Sequence, residues 1–381
     1  MGWRDYLRGL DFILLAATLA LVAYGITMVY YATRPDVAGV PLYYVRQQII
    51  AFVIGLVAAA VIVVVDYDYF RRFQWWFYAA TILILVAVLL LGEDVNGARR
   101  WIDLGVARFQ PSAAALLLMT LSVGSFLAGR MESAGAKRVT LAVLALIAVP
   151  AFLVYREPDF GSAMVLAVVC LAMLYFYGAP WTHFAALIGG GLVAFATALK
   201  VLPLIGIHLI EDYQIQRLLV FLNPGSDPTA GGYNIIQSMV AVGAGGLSGR
   251  GNGATQTTLD FLPEHHTDFI FAVISERNGF LGATLLLFLY AIIIWRALRI
   301  ATLSRDMFGS ILAGGIGTVM LFQVFVNIGM TIGIMPVTGI PLPFVSYGGT
   351  HMIAFLVLIG LLQAIHLRAV MSPKEGSRRV E

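Results

Sequence analysis

Apolar residues occur along the chain in ten long runs separated by short polar segments. A helix needs ~20 mainly apolar residues to cross the hydrocarbon core of a bilayer, and each run is close to that length. The pattern predicts an all-α integral membrane protein of about ten transmembrane helices, with residues 1–381 forming one polytopic membrane domain. The predicted spans are 11–31, 47–65, 74–91, 112–129, 139–155, 160–178, 181–202, 269–298, 308–331 and 343–366.

Composition agrees with this pattern and excludes several classes of protein. The chain is 60% hydrophobic and only 12% charged, whereas a soluble domain is typically about a quarter charged. Most of the protein surface is therefore expected to face lipid. The formal charge is +3 and the basic residues are scattered, so we expect no nucleic-acid partner.

The distribution of charge predicts the orientation in the membrane. An even number of spans places both termini on one side. If that side is the cytoplasm, the inner segments hold 14 of the 24 basic residues, as the positive-inside rule requires. We therefore expect a multi-pass protein of the bacterial cytoplasmic membrane, with both termini and a tail of 367–381 in the cytoplasm.

Acidic residues concentrate on the predicted outer side, which holds 13 of the 21. Two outer segments dominate, a short loop at 92–111 and a long loop at 203–268 between the seventh and eighth helices. Loops longer than ~15 residues are uncommon in compact proteins and are usually functional. The outer face is therefore the expected location of any chemistry.

Two carboxylates in the long loop are candidates for acid–base chemistry. Pro263 suits the first position of a helix, which would place Glu264 and Asp268 at i and i+4 on one helical face. Neighbouring carboxylates disfavour each other's ionisation, so one of them would have a raised pKa and suit a general base. The alternative is that both residues are ordinary charges at a helix N-terminus.

Other polar residues have several interpretations. The arginines of the short loop suit a diphosphate through bidentate contacts, or they contact lipid headgroups. The glycine-rich stretch 243–253 matches no nucleotide-binding spacing, which leaves a phosphate-binding nest with Arg250 or a flexible hinge. Glu276 and Arg277 lie within an apolar run and indicate either function or pairing with another helix.

Several motifs resemble those of the SEDS (shape, elongation, division and sporulation) family of peptidoglycan glycosyltransferases, and most closely its elongation branch. They cover nearly the whole chain. The motifs are NGARRWI at 96–102, QPS at 110–112, EPDFG at 157–161, Arg217 with FLNP at 221–224, GYN at 232–234, FLPE at 261–264, TDFIF at 267–271, NIGM at 327–330 and PVTGIPLP at 336–343 followed by SYGG at 346–349.

The resemblance implies an activity and a set of site residues. It implies lipid II as the substrate, a class B penicillin-binding protein as the transpeptidase partner, and Asp268 at the family's essential aspartate. Because an α-linked diphosphate donor gives a β-1,4 glycan, transfer must invert the anomeric carbon. We expect Asp268 to be the catalytic base, with a divalent cation (Mg²⁺ or Mn²⁺) as an optional cofactor. The expected substrate-binding residues are Arg46, Arg99, Arg100, Arg217, Glu264, Asp159 and Ser346.

The chain departs from the family pattern at three places. Ala113 and Leu116 stand where the family has a glutamate and a lysine, Arg277 stands for a glutamate, and Thr350-His351 replace two serines. Two alternatives to a polymerase stay open. Many helices, embedded charges and a lipid substrate would equally suit a flippase that moves lipid II between leaflets, and the three departures are what a non-catalytic scaffold for a transpeptidase would allow.

Overall fold

Among the residues that the computed structural model describes, ten helices are long and apolar enough to cross a membrane, which confirms the predicted architecture. The structure describes residues 8–33, 42–95, 98–103, 105, 108–133, 135–205, 212–226, 231–255 and 261–371. The spans are α1 (Phe12–Thr33), α2 (Tyr43–Val64), α3 (Gln74–Leu91), α4 (Pro111–Ala128), α5 (Lys137–Arg156), α6 (Phe160–Tyr177), α7 (Trp181–Lys200), α10 (Ile270–Leu303), α11 (Met307–Thr331) and α12 (Gly349–Met371).

The spans differ greatly in how much of their surface the bundle covers. Helices α4, α11 and α12 form the centre, with 83%, 72% and 78% of their spanning windows buried. Helix α7 lies at the other extreme, with 6% buried. Side chains that face lipid remain apolar because the bilayer replaces the protein interior as their solvent.

The last span begins later than predicted. Residues 332–348 form irregular backbone, and α12 begins at Gly349 rather than near residue 343. Pro341 and Pro343 explain the difference, since proline lacks the N–H that a helix interior requires. Helix α12 then continues to Met371, five residues into the predicted tail, and residues 372–381 lie outside the described residues.

Helix α10 is longer than a bilayer requires, and it is broken. It spans 34 residues, and the backbone of Gly279 is non-helical with φ 64°. Residues 270–276 before the break are buried on every face, whereas Phe280 and Phe288 after it are 63% and 61% exposed. The lipid-exposed part of α10 therefore follows Gly279, and 270–278 form a short buried helix inside the bundle.

The glycine-rich stretch packs against this break. The amides of Phe280 and Leu281 donate to the carbonyls of Gly246 and Leu247, with N–O distances of 2.9 and 3.1 Å. A side chain at Gly249 would place its Cβ 2.1 Å from the carbonyl oxygen of Arg277. The stretch is therefore packed closely against the break in α10. It forms neither the predicted phosphate nest nor the predicted flexible hinge.

Glu276 and Arg277 stabilise the packing of the glycine-rich stretch against α10. A carboxylate oxygen of Glu276 accepts a hydrogen bond of 2.8 Å from the amide of Thr255. The guanidinium of Arg277 donates to Asn252 at 2.6 Å and lies 3.4 Å from the ring centre of Tyr31. These contacts favour pairing over chemistry as the role of both charges.

Both outer loops contain secondary structure. The short loop forms a three-stranded antiparallel sheet of β1 (Glu93–Val95), β2 (Ala98–Asp103) and β3 (Arg108–Phe109), an exception to the all-α prediction. The long loop contains α8 (Asp212–Leu222) and α9 (Gly231–Gly245). Helix α9 lies along α10 and joins α11, where Ser238 donates to the carbonyl of Thr331 at 2.9 Å.

Candidate active site

Asp268 lies in a series of turns that precedes the short buried helix. Residues 262–269 form turns, and Glu264 has a left-handed backbone with φ 53°. The prediction that Glu264 and Asp268 share a helical face is therefore wrong, because a left-handed residue cannot continue a right-handed helix. The turn nevertheless keeps the two carboxylates close enough for the Glu264 charge to act on Asp268.

Two elements hold the backbone at Asp268. Asn327 of α11 is wholly buried, and its amide donates to the carbonyls of Asp268 and Ile340 at 2.8 and 2.7 Å. Gly339 has φ 72°, and a Cβ added there would lie 3.4 Å from a carboxylate oxygen of Asp268. Asn327 was missed as a site residue, although its NIGM motif had been singled out.

Ser346 supports the same turn from behind. Its hydroxyl donates to the carbonyl of Thr267 at 2.6 Å and accepts from the amide of Leu342 at 2.9 Å. The amide of Gln48 donates to the Ser346 carbonyl at 3.1 Å. Because the hydroxyl is engaged and the residue is buried, the geometry gives Ser346 a supporting role that differs from the predicted substrate contact.

The surroundings of Asp268 raise its pKa from 3.8 to about 7. Burial is the largest cause, followed by the negative charge of Glu264; Asp159 adds to the increase, and Arg100 and Arg217 oppose it. A carboxylate with a pKa near neutrality suits a general base, because it is both available and sufficiently basic.

The two adjacent arginines of β2 have different environments. Arg100 is among the charges that act on Asp268, and its guanidinium donates to the carbonyls of Glu157, at 3.2 Å, and Pro158. Arg99 is exposed and is not among those charges. Successive side chains of a strand point to opposite faces, so only Arg100 faces Asp268.

The other two predicted arginines, Arg217 and Arg46, also differ in whether their charges act on Asp268. Arg217 of α8 acts on Asp268 and donates to the carbonyl of Val337 at 3.3 Å, which brings the long loop to the site. Arg46 is exposed in the first turn of α2 and is not among the charges acting on Asp268. The structure thus brings together Asp268, Glu264, Asp159, Arg100 and Arg217, and leaves Arg46 and Arg99 outside.

Asp159 begins helix α6 and is buried with its charge hydrogen-bonded. Its carboxylate accepts from the amide and hydroxyl of Ser162 at 3.0 and 2.7 Å, and from the hydroxyl of Ser112 at 3.3 Å. These three bonds fix the orientation of the carboxylate. Asp159 therefore contributes a fixed negative charge beside Asp268.

Glu157 was missed as a site residue, although it begins the EPDFG motif. It is wholly buried, and neither carboxylate oxygen has a hydrogen-bond partner among the described residues. Burial is the largest cause of a pKa raised to about 9; the Asp159 charge adds to it and Arg100 opposes it. Glu157 is therefore neutral at pH 7 and does not compensate the positive charge of Arg100.

Aromatic rings form a wall beside the turn at 262–269 that contains Asp268. The ring centres of Tyr44 and Tyr347 are 4.9 Å apart, and His266 lies 4.9 Å from Tyr44. The amide of Tyr347 donates to the carbonyl of His266 at 3.0 Å. All three side chains are partly exposed, and their rings are inclined to one another by 47–88°, so they offer an angled aromatic surface to a ligand.

The departures from the family pattern have a packing explanation in part. Ala113 and Leu116 are buried in α4 and belong to the apolar core. At the start of α12, Thr350 accepts a hydrogen bond of 3.0 Å from the amide of Gln110. Both ring nitrogens of His351 lack a partner within the described ranges, and nothing in the structure explains that residue.

The chain matches a known protein family along almost its whole length. The model of the FtsW/RodA/SpoVE cell cycle proteins matches residues 11–370. The chain belongs to this family. It is 38% identical to the peptidoglycan glycosyltransferase MrdB of Escherichia coli strain K12 over 366 residues, covering 96% of this chain and 95% of that relative.

Solved structures agree with the family assignment. A chain of a peptidoglycan synthase complex superposes with a TM-score of 0.79 at 29% identity, covering 94% of this chain and 98% of that one. The rod shape determining protein RodA of Thermus thermophilus gives a TM-score of 0.68 at 28% identity, covering 94% and 97%. The resemblance inferred from the motifs is thereby confirmed.

Proposed function

We propose that the protein is a peptidoglycan glycosyltransferase that polymerises lipid II into β-1,4 glycan at the outer face of the cytoplasmic membrane during cell elongation. One observation carries the proposal: a partly buried carboxylate, Asp268, has a pKa of about 7 and lies within range of the positive charges of Arg100 and Arg217. Relatives that match nearly the whole chain are peptidoglycan glycosyltransferases.

The ionised Asp268 removes the proton from the acceptor's 4-hydroxyl as the oxygen attacks the anomeric carbon of the donor. The bond from that carbon to the lipid diphosphate breaks on the opposite side, so the configuration inverts. Asp268 keeps the proton until it is released to water. Direct proton transfer of this kind contributes ~10²–10⁴-fold to a rate.

Arg100 and Arg217 neutralise the departing diphosphate. Their positive charges lie beside Asp268, and guanidinium groups make bidentate contacts with phosphate oxygens. Arg100 is anchored through backbone carbonyls rather than through a carboxylate, which preserves its charge for the substrate. The aromatic wall of Tyr44, His266 and Tyr347 offers the sugar rings a packing surface.

The proposal includes a divalent cation as an optional cofactor. In the part of the chain that the structure describes, no group of three or more His, Cys, Asp or Glu is arranged to hold a metal ion. Mg²⁺ often binds through one or two carboxylates together with substrate phosphates, so a cation would arrive with the diphosphate. Asp159 would be a carboxylate ligand of such a cation, because its charge lies near Asp268.

We further propose a class B penicillin-binding protein as the partner, with both termini of this chain in the cytoplasm. One matching chain belongs to a complex that coordinates polymerization and crosslinking. A partner of that class supplies the transpeptidase that joins the new strands.

The test is polymerisation of purified lipid II by the purified protein, with and without the partner. Gel-resolved glycan that lysozyme digests supports the function, and lysozyme's requirement for β-1,4 bonds reports the linkage. Asp268→Ala should abolish the product, with Asp103→Asn as a control because Asp103 is an exposed carboxylate on β2. An added chelator reports any cation requirement.

The alternatives give different results in the same preparation. A scaffold would yield no glycan with any partner, and Asp268→Ala would change nothing. A flippase would move fluorescent lipid II across a vesicle membrane without polymerising it. Glycan made equally well by Asp268→Ala would refute the assignment of the base.

A further inference from the structure

A basic cleft lies at the opposite end of the bundle from Asp268. Helices α4 and α6 both begin beside the site, where Ser112 bonds Asp159, and both end at this cleft. It has a volume of about 310 Å³ and is lined by Arg130, Ser133, Arg138, Val139 and Ala142.

The charge of the cleft is positive and available. Arg130, Lys137 and Arg138 are exposed, and Glu132 is the one carboxylate in residues 129–138. None of the three cations is in an ion pair with another described residue; Arg138 donates to the Ser133 hydroxyl at 2.9 Å. A guanidinium has five N–H donors, so most remain free for a ligand.

The position of Arg130 is fixed by the protein. Its guanidinium donates to the carbonyl of Phe126 at 3.1 Å and lies 3.7 Å from the centre of the Phe126 ring. The hydroxyl of Tyr177 donates to the Arg130 carbonyl at 2.6 Å. A preorganised arginine binds an anion with less loss of side-chain entropy than a mobile one.

The surface beside the cleft is apolar and suited to lipid. Val139 and Ala142 line its floor, and Leu141 on the next face of α5 is 64% exposed. Tyr175 and Trp181 are 68% and 73% exposed at the same end, as is typical of aromatic side chains at a membrane–water boundary. Phosphate contacts and acyl-chain contacts are therefore available side by side.

We propose that this cleft binds the headgroup of an anionic phospholipid, with its phosphate between Arg130 and Arg138 and its acyl chains along α5. Basic pockets between transmembrane helices on the cytoplasmic side are suited to such headgroups. The proposal is independent of the glycosyltransferase assignment. A two-phosphate lipid, cardiolipin, matches the paired arginines best.

The test measures binding of fluorescent cardiolipin to the purified full-length protein in detergent. We expect Arg130→Gln with Arg138→Gln to weaken binding at least about 10-fold, since both charge-assisted contacts to the phosphate are lost. Arg299→Gln with Arg305→Gln is the matched control, because both arginines are exposed in the α10–α11 region at the same end of the bundle. The control should bind like the wild type.

A second variant guards against misfolding, because Arg130 also holds the end of α4. Lys137→Gln with Arg138→Gln leaves those contacts intact and should also weaken binding. Unlabelled cardiolipin should compete, whereas phosphatidylcholine should not. Equal competition by inorganic phosphate at the same concentration would overturn the lipid assignment. Unchanged binding by both cleft variants, or an equal loss in the control, would overturn the site.

Discussion

The two ends of the bundle use the same kinds of charged residue in opposite ways. At the end remote from the site, Asp11 and Arg296 form an ion pair with only 1% and 8% of their side chains exposed. Arg368 lies 3.5 Å from Asp66 and also donates to backbone carbonyls. Each of these acids has a basic partner, which is the usual requirement for burying charge.

At the site end, several carboxylates lie close enough for their charges to act on one another. Glu264 and Asp159 both act on Asp268, and the buried carboxylate of Glu157 has no hydrogen-bond partner among the described residues. Pairing makes a charge structural, whereas crowding of like charges raises pKa values and prepares a group to accept a proton. The contrast favours a structural role for the charges at one end and is consistent with the proposed chemistry at the other.

The largest effect is expected from breaking the pair at the supporting end. Asp11→Leu leaves Arg296 buried without its partner, which should cost about 3–5 kcal/mol of stability. Thermal unfolding in detergent measures the loss. Asp11→Leu with Arg296→Met should recover much of it, because both charges are then absent. A single variant as stable as the wild type would contradict the structural role.

Arg100 provides the next comparison, this time at the site end. Arg100→Gln should lower polymerisation ~10²–10³-fold, the typical cost of removing one preorganised donor from a developing anion. Arg99→Gln is the control, because its side chain lies on the opposite face of the same strand and is exposed. Polymerisation of lipid II measures both variants. Similar losses of activity would show that the face of β2 on which an arginine lies does not decide whether it contributes to the reaction.

The pH profile tests the crowding of carboxylates. Polymerisation should rise through about pH 7, because the base acts only when ionised and its pKa is about 7. Glu264→Gln removes a neighbouring negative charge, so the midpoint should move to lower pH, whereas Glu93→Gln on β1 should leave it unchanged. An unmoved midpoint in Glu264→Gln would remove Glu264 from the site.

The same pKa shift predicts a stability effect of known sign. Between pH 3.8 and about 7 the native state keeps a proton on Asp268 that the unfolded chain has lost. The free energy of unfolding therefore falls as the pH rises through that window. Asp268→Asn should lack this component, which comparison of thermal unfolding at pH 5 and pH 7 measures.

The smallest effect is expected at Glu157. Its pKa of about 9 keeps it neutral at pH 7, so the neutral Glu157→Gln should polymerise within about twofold of the wild-type rate, as substitutions that remove no native contact do. The assay is the same polymerisation reaction at pH 7. A loss as large as that of Arg100→Gln would mean that Glu157 acts as an ionised carboxylate.

Much of the fold follows from the sequence because lipid imposes a simple rule. Each span must satisfy its own backbone hydrogen bonds and present apolar side chains, so length and hydropathy alone predict the ten helices. The break at Gly279 was not predicted, because it depends on the close approach of Gly249 from the long loop. The late start of α12 was readable in principle from Pro341 and Pro343.

For the site, the sequence predicted which polar segments lie on the same side of the membrane, and the motifs singled out Asp268. Only the tertiary structure selected Arg100 and Arg217 over Arg99 and Arg46, and gave Ser346 a supporting role. It also revealed Asn327 and Glu157 as parts of the site. The reason is physical: hydropathy is a property of each segment, whereas burial, strand alternation and the distance between charges arise only when separate segments pack together.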